Sequence, residues 1–227
     1  MNNKFHIDNS NYLYKKSKRV FLYITRANKS LNSNTTLEKL FLDKKINKNS
    51  IGYCKQIHSD KVLYIDNPGL YNDCDGLVAR CSNKIVLQIQ TADCVPISMY
   101  DEDSQLIGLI HSGWKGSKKS ICNNAVKLFL EHGALAENIS IFLGPSIKKC
   151  CYEIKNDVSE QFDDKYITRV DEQLFLDIES KIIDDLLLCG LNKNNIYTSE
   201  ICSYESNECY SFRRDKNKGR MFSIIGV

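Results

Sequence analysis

Residues 85–111 read IVLQIQTADCVPISMYDEDSQLIGLIH, and this stretch decides the fold of the chain around it. It contains three short apolar runs of strand length, at 85–91, 95–100 and 105–111. The polar residues between the second and third runs have the length of a hairpin connection. If these two strands pair antiparallel, the start of one lies beside the end of the other. Such pairing brings Cys94 and His111 to the same edge of a sheet.

Strand and helix patterns continue on both sides of this hairpin. Further apolar runs predict strands at 19–25, 61–66, 140–143, 196–201 and 209–213. Apolar residues at helical spacing, with capping residues at their ends, predict helices at 36–44, 117–132, 156–165 and 177–189. Because no linker or repeat interrupts the pattern, residues 19–227 are predicted to form a single domain. Residues 1–18 are expected to be disordered or extended.

The composition is that of an ordinary globular protein. Of 227 residues, 42% are hydrophobic and 26% are charged, and the net charge is only +3. This small charge gives no electrostatic basis for a nucleic-acid partner. We expect no membrane partner either, since the chain has no apolar run of about 18 residues. The polar start of the sequence predicts a cytoplasmic protein whose ten cysteines are reduced.

His58, Cys94 and His111 form the candidate metal site. One thiolate and two imidazoles are ligands that Zn²⁺ favours, with copper as the alternative cation. Three protein ligands leave a fourth position for water or substrate, which is typical of catalytic zinc. The ligands are separated by 36 and 17 residues, so they meet only through tertiary folding. Spacing alone therefore leaves open that these are hydrogen-bonded loop histidines and a small buried cysteine.

Several short sequence motifs occur in the same order as in one known family. They are QIHSDKV at 56–62, CDGLV at 74–78, QTADCVPI at 90–97, GLIHSGWKG at 108–116, LGPSI at 143–147, CCYEI at 150–154, YSFRRD at 210–215 and GRM at 219–221. In this order they resemble the YfiH family, whose members are called laccase-domain proteins, multicopper polyphenol oxidases, peptidoglycan editing factors and purine nucleoside phosphorylases. The resemblance runs from about Val20 to the C-terminus. It implies that the metal ligands are His58, Cys94 and His111.

The resemblance implies an α+β fold of four layers, α/β/β/α, in which two packed mixed sheets are flanked by helices. It also implies an enzyme of purine nucleosides. The expected reactions are phosphorolysis of adenosine, inosine or methylthioadenosine, with phosphate as second substrate, and deamination of adenosine. A cell-wall editing amidase acting on a murein precursor with a misincorporated amino acid is an alternative. A copper-dependent polyphenol oxidase is another, although four histidines are too few for a multicopper centre. We expect a monomer or a homodimer.

Asp93, Arg26 and Arg220 complete the candidate site, and Cys94 is predicted to be catalytic as well as a ligand. The Asp93 carboxylate is interpreted either as a catalytic group, which orients a histidine or carries a proton, or as a residue that shapes the turn. The resembling family carries an arginine near its pocket at the position of Arg26, and Arg220 lies in the shared GRM word. Both are predicted to bind substrate, with a surface arginine and a carboxylate partner as the respective alternatives. After Arg26 the chain departs from the family by a shortened loop.

Overall fold

The computed structural model describes residues 6–8, 11–14, 20–27, 33–216 and 219–227. Its strands, in chain order, are β1 (His6–Asp8), β2 (Asn11–Tyr14), β3 (Phe21–Thr25), β4 (Ile51–Lys55), β5 (Val62–Ile65), β6 (Gly69–Asn72), β7 (Gly76–Arg80), β8 (Val86–Thr91), β9 (Val95–Asp101), β10 (Leu106–Ser112), β11 (Ser140–Leu143), β12 (Glu153–Ile154), β13 (Ile167–Val170), β14 (Gln173–Leu176), β15 (Ile196–Thr198) and β16 (Met221–Gly226). Its α-helices are α1 (Ser33–Lys44), α2 (Trp114–Lys118), α3 (Ile121–Glu131), α4 (Asn156–Ser159), α5 (Ile178–Leu188) and α6 (Phe212–Asp215).

Most of the strands belong to two large mixed sheets. The first sheet has the spatial order β1-β2-β3-β16-β8-β4-β6, and the second has the order β15-β11-β9-β10-β7-β5. Most neighbours are antiparallel, but β4 runs parallel to β6 and β8, β5 runs parallel to β7, and β11 runs parallel to β15. Strands β12, β14 and β13 form a small antiparallel sheet beside them.

The helices cover the outer faces of the two large sheets. Between the sheets lies an apolar core to which both contribute, for example through Leu87 of β8 and Leu109 of β10. Leu40 of α1 packs against the outer face of the first sheet. Phe129 of α3 and Ile182 of α5 pack against the outer face of the second. The predicted α+β fold of four layers, α/β/β/α, is therefore confirmed.

The central hairpin, β9 with β10, has the predicted antiparallel register. His111 pairs with Pro96, and Ser112 pairs with Val95. Cys94 directly precedes β9, so it lies beside the end of β10. The other edge of β10 pairs with β7, where Ile110 lies opposite Gly76. Asp75, which directly precedes β7, therefore lies at the same edge of the second sheet as Cys94 and His111.

Two predicted helices are interrupted. The helix expected at 117–132 is divided into α2 and α3 because Ser120 adopts a left-handed φ of 54°. Ser117 does not cap it, and its hydroxyl lies 2.7 Å from the buried hydroxyl of Ser112. The helix expected at 156–165 is one turn, α4, followed by the 3-10 turn Asp164–Tyr166.

At both ends of the chain, the observed secondary structure also differs from the secondary structure that the sequence patterns predict. The strand expected at 209–213 is wrong, because Ser211 caps the short helix α6 by accepting a hydrogen bond from the Arg214 amide at 3.1 Å. The strand β16, which was not predicted, lies between β3 and β8 in the first sheet. Within the segment 1–18, β1 and β2 form a hairpin. The remainder of that segment lies outside the described residues.

All ten cysteines are free thiols in the structure. Within the described ranges, no helix combines the length and the apolar character that crossing a lipid bilayer requires. A core between two sheets and two helical layers holds this fold together without covalent cross-links.

Candidate metal centre

His58, Cys94 and His111 meet at one edge of the second sheet. Their possible ligand atoms all lie within 4.8 Å of one another. The two imidazole rings are arranged edge to face, with centroids 4.8 Å apart. His111 is buried, Cys94 is partly buried and His58 is exposed. The cluster is therefore anchored in the protein on one side and open to solvent on the other.

Asp75 positions His58, which the hairpin register alone leaves unplaced. The Asp75 carboxylate accepts hydrogen bonds from the backbone N–H groups of Ile57, His58 and Ser59 at 3.3, 3.0 and 2.6 Å. The Ser59 hydroxyl donates to the same carboxylate at 2.7 Å. These bonds hold a tight turn in which His58 has a φ of 60°. Left-handed backbone at a non-glycine residue is uncommon, and such residues cluster at functional sites.

The same carboxylate orients His111. His111 Nδ1 lies 2.8 Å from Asp75 Oδ1, so Nδ1–H donates to the carboxylate and Nε2 is left for a cation. Burial raises the pKa of Asp75, but hydrogen bonds from His111 and Ser59 outweigh burial and lower this pKa to about 2. Sequence reasoning missed Asp75. The available signal was a single carboxylate directly before the apolar residues of β7.

Cys94 and His111 stabilise each other in their charged forms. Burial raises the pKa of Cys94, but the charge and hydrogen bonding of His111, aided by His58, lower it to about 6. Burial lowers the pKa of His111, but Cys94 and Asp75 raise it to about 9. The lowered pKa of Cys94 and the raised pKa of His111 both favour a thiolate–imidazolium pair. The same shift favours the thiolate form of Cys94, which is the form that binds metal.

The chemistry of these donors fits zinc, and copper accepts the same ligands. The contact between Asp75 and His111 is the carboxylate–histidine pairing that commonly supports a metal-bound imidazole. Gly113 leaves space around the cluster. A Cβ atom built on Gly113 would lie 3.1 Å from both Cys94 Sγ and His58 Cδ2. Because Gly113 has no side chain, the backbone lies closer to Cys94 and His58 than a residue with a Cβ atom would comfortably allow.

Gly113→Ala is expected to weaken metal binding with little effect on the fold. Gly113 has an ordinary φ of −84°, so alanine adds no backbone strain there. Its methyl group would press on Cys94 and His58 instead, and we expect metal affinity to fall about tenfold. Titration against a competing chelator measures the affinity, and a thermal melt checks the fold. An affinity equal to that of the unmodified protein would contradict the expectation.

A cavity of about 570 Å³ opens beside the cluster. This volume lies within the usual range of small-molecule sites. Besides the three possible ligands, its walls include the apolar side chain of Ile147, the aromatic rings of Tyr152 and Phe212, and the guanidinium groups of Arg213 and Arg220. The cavity thus combines a possible metal, aromatic surface and positive charge.

Asp93 lines this cavity, and its carboxylate is held by the loops around it. Asp93 Oδ1 accepts from the Ser203 hydroxyl at 2.7 Å, and Oδ2 accepts from the Arg213 amide at 2.7 Å. Its backbone carbonyl accepts from the Ile147 amide at 2.9 Å. These contacts fit the turn-shaping interpretation, since Asp75 performs the orientation of His111. A catalytic role of Asp93 stays a prediction.

The two predicted substrate-binding arginines differ in position. Arg220 lines the cavity, whereas Arg26 is not among the described residues that line it. The Arg220 guanidinium lies 5.9 Å from the centre of the Phe212 ring. The Arg26 guanidinium forms an ion pair with Glu208. The structure therefore brings Arg220, but not Arg26, to the cavity.

Arg213 is a cavity residue that the sequence analysis did not select. Its guanidinium lies 5.6 Å from the centre of the Tyr152 ring, and Nη1 donates to the Glu153 carbonyl at 2.5 Å. The signal in the sequence was the paired arginine of the YSFRRD word. Its neighbour Arg214 instead donates to backbone carbonyls, including that of Tyr204 at 2.8 Å. One arginine of the pair thus faces the cavity, and the other holds a loop.

Comparison with known sequences shows a match over most of the chain. The family model described as "Multi-copper polyphenol oxidoreductase laccase" matches residues 27–227. A purine nucleoside phosphorylase of Clostridium acetobutylicum is 33% identical over 231 residues, covering 96% of this chain and 97% of the relative. An adenosine deaminase from an unknown prokaryotic organism is 29% identical over 191 residues, covering 75% of this chain and 72% of the relative.

Solved structures show the same fold. The hypothetical protein YfiH of Bacillus licheniformis superposes with a TM-score of 0.88 at 24% identity, with 100% of both chains covered. YlmD of Geobacillus stearothermophilus superposes with a TM-score of 0.90 at 23% identity, with 98% of both chains covered. The four-layer architecture is therefore shared along the full length of these proteins.

Proposed function

The chain belongs to the multi-copper polyphenol oxidoreductase laccase family, and on that premise we propose that it is a zinc-dependent purine nucleoside enzyme. It deaminates adenosine and phosphorolyses adenosine, inosine or methylthioadenosine. The observation that carries this proposal is the open cluster of His58, Cys94 and His111 beside a cavity with aromatic and basic walls. Relatives named purine nucleoside phosphorylase and adenosine deaminase support the substrate class.

His58, Cys94 and His111 would hold the zinc. When bound, zinc lowers the pKa of a coordinated water to about 7 and so supplies a nucleophile for hydrolysis. The Cys94 thiolate offsets part of the cation's charge. Asp75 fixes the orientation of the His111 ring and presents its Nε2 to the site. The residues therefore supply a defined, half-open ligand set in which one side remains accessible to substrate.

The cavity walls suit the separate parts of a nucleoside and a phosphate. Tyr152 and Phe212 offer aromatic surface to a purine ring, and Phe212 keeps 51% of its surface exposed. Arg213 and Arg220 offer guanidinium donors, which match the oxygens of a phosphate group. Base and phosphate thus have distinct partners within one cavity.

The two proposed reactions use different nucleophiles. In deamination, water adds to the purine carbon that bears the amine, ammonia leaves, and adenosine becomes inosine. In phosphorolysis, phosphate forms a bond to the sugar carbon while the bond to the base breaks, which gives a sugar phosphate and the free base. Phosphate is therefore consumed only in the second reaction.

Multicopper oxidation is a less suitable function for this chain. Electron transfer through several copper ions requires many histidines, and this sequence contains four. Apart from His58 and His111, the chain contains His6, which lies in β1, and His132, which follows α3. The His132 ring stacks on Tyr64 with centroids 3.7 Å apart, and its Nδ1 contacts the Leu128 carbonyl at 2.8 Å. It belongs to the packing of α3 rather than to the metal cluster.

Product analysis with adenosine tests the proposed function. We expect inosine to form without phosphate and free base to appear only when phosphate is added. The comparison substrate is a murein precursor that carries a misincorporated amino acid. Turnover of the murein precursor alone would replace the proposal by an editing amidase, and oxidation of a phenol with copper but not zinc would replace it by an oxidase.

Arg220→Ala is expected to impair phosphorolysis more than deamination. Loss of a charge-assisted hydrogen bond to phosphate costs about 1.5–3 kcal/mol, which corresponds to an increase of about 10–100-fold in the KM for phosphate. The matched comparison is Arg26→Ala, because Arg26 pairs with Glu208 instead of lining the cavity. Steady-state kinetics at varied phosphate measure both variants. Equal effects of the two substitutions would remove the assignment of phosphate to Arg220.

A further inference from the structure

Three cysteines and a glutamate form a second cluster outside the His58, Cys94 and His111 site. The possible ligand atoms of Cys150, Cys151, Cys202 and Glu205 all lie within 4.8 Å of one another. The Sγ atoms of Cys150 and Cys151 are 3.3 Å apart, and Cys150 Sγ is 3.9 Å from Glu205 Oε2. The sequence places these residues in two distant segments, so tertiary folding has brought them together.

Cys202 forms the buried side of this cluster, and backbone N–H groups lie near its sulfur. Burial raises the pKa of the Cys202 thiol, but the nearby backbone N–H groups of Lys148, Glu205 and Tyr204 favour its thiolate form and lower this pKa. N–H groups placed in this way stabilise a sulfur that carries negative charge, and they commonly surround metal-bound thiolates. Cys150 and Glu205 are exposed, so a cation reaches the cluster from solvent.

We propose that Cys150, Cys151, Cys202 and Glu205 form a second metal site, which binds one Zn²⁺ for a structural purpose. Three thiolates and one carboxylate are four protein ligands, and a site closed by four protein ligands is typical of structural zinc. Tetrahedral zinc with Zn–S bonds of about 2.3 Å places its sulfur ligands roughly 3.8 Å apart. The separations of 3.3 Å between the Sγ atoms of Cys150 and Cys151 and of 3.9 Å between Cys150 Sγ and Glu205 Oε2 lie on either side of this value, and all four donor atoms lie within 4.8 Å of one another.

A single disulfide does not account for the whole cluster. One bond would join two of the three sulfurs and leave the third thiol beside the Glu205 carboxylate. Adjacent cysteines such as Cys150 and Cys151 also have difficulty reaching the geometry of a disulfide. A cation contacts all four groups at once and balances their negative charge.

The position of the cluster explains what the second ion would stabilise. Ser146 and Cys202 form a parallel β-bridge, and the Ser203 amide donates to the Ser146 carbonyl at 2.9 Å. Ser203 also holds Asp93 through its hydroxyl, and the neighbouring Ile147 amide donates to the Asp93 carbonyl. A metal bound to Cys202 would therefore link the loop at 146–147 to the loop at 202–203. These two loops hold the turn that contains Asp93 and precedes Cys94.

Metal binding in a Cys94→Ala background tests the proposal, because that substitution removes the thiolate of the first site. Reduced protein is titrated with Cd²⁺, whose thiolate complexes absorb in the ultraviolet, and with Zn²⁺ followed by elemental analysis. We expect one equivalent to bind and Zn²⁺ to raise the Tm by several degrees. Adding Cys150→Ser should weaken binding at least tenfold and remove most of the rise in Tm.

Cys150 is exposed, so its substitution should not unfold the protein, and Cys202→Ser is the second, buried variant. The matched control is Cys189→Ser, which changes a partly buried cysteine at the end of α5 and should leave the Cd²⁺ absorption intact. Two results would overturn the proposal. One is Cys94→Ala protein that binds no Cd²⁺ or Zn²⁺ while its remaining cysteines titrate as free thiols. The other is binding that survives both Cys150→Ser and Cys202→Ser.

Discussion

Cys94→Ala is expected to remove one equivalent of metal per chain and to reduce turnover of adenosine about 1,000-fold or more. Removal of the thiolate leaves two imidazoles, which do not retain zinc in an open site. Loss of a catalytic metal removes several kcal/mol of transition-state stabilisation, and about 4 kcal/mol corresponds to this factor in rate. Cys94 lies at the cavity wall, so the fold should persist. Elemental analysis, adenosine turnover and a thermal melt measure the three effects.

Two controls separate metal loss from general damage. Cys189→Ser changes a cysteine far along the chain, directly after α5, and should keep both metal and activity. Reversible removal of metal with a chelator should abolish the activity of the unmodified protein, and added Zn²⁺ should restore it. Full metal content in the Cys94→Ala protein, or restoration of activity by copper but not by zinc, would contradict the assignment.

The relation between Cys94 and His111 follows from the sequence alone because it depends on local pairing. The hairpin connection between β9 and β10 is short, so the register of the two strands is nearly fixed by its length. The observed pairing of His111 with Pro96 is the pairing that this connection requires. Residues joined by a hairpin are therefore the part of a site that sequence reasoning locates most readily.

His58 could not be located in this way because its position depends on a long-range contact. The turn at 57–59 is held by Asp75, which precedes β7 in the adjacent part of the sheet. No periodicity signals that a carboxylate will accept backbone hydrogen bonds from a segment 16–18 residues earlier. The family resemblance supplied His58 as a ligand, but only the structure supplied the residue that holds it.

The C-terminal segment shows a second limit of sequence patterns. Residues 221–226, MFSIIG, follow a polar stretch and form β16 between β3 and β8. Both neighbours of β16 are antiparallel and come from distant parts of the chain, so nothing local marks their pairing. At 209–213 the apolar and aromatic residues favoured a strand, whereas the cap formed by Ser211 starts α6. A side-chain hydrogen bond thus outweighed β propensity.

Asp75→Asn is expected to weaken metal binding by about 10–100-fold, because it alters the group that orients His111 and the turn of His58. The Asp75 carboxylate has two oxygens that accept hydrogen bonds, whereas an asparagine amide has only one. The NH₂ group of the asparagine would face N–H and O–H donors and could not accept hydrogen bonds from them. Removal of the buried charge and of these bonds should lower the free energy of unfolding by about 3 kcal/mol. For a domain of this size that corresponds to a fall in Tm of roughly 10 °C.

Asp101→Asn is the matched control for Asp75→Asn. Asp101 is also buried, with 1% of its surface exposed, and it accepts hydrogen bonds from the amides of Asp103 and Ser104 and from the Ser104 hydroxyl. It lies at the opposite end of the β9–β10 hairpin from Cys94 and His111. Its substitution should therefore reduce stability without changing metal affinity. Denaturant unfolding and competitive chelator titration compare the two variants. If both lose metal affinity equally, the effect of Asp75 is general destabilisation, whereas a loss confined to Asp75→Asn identifies this carboxylate as the residue that positions both histidine ligands.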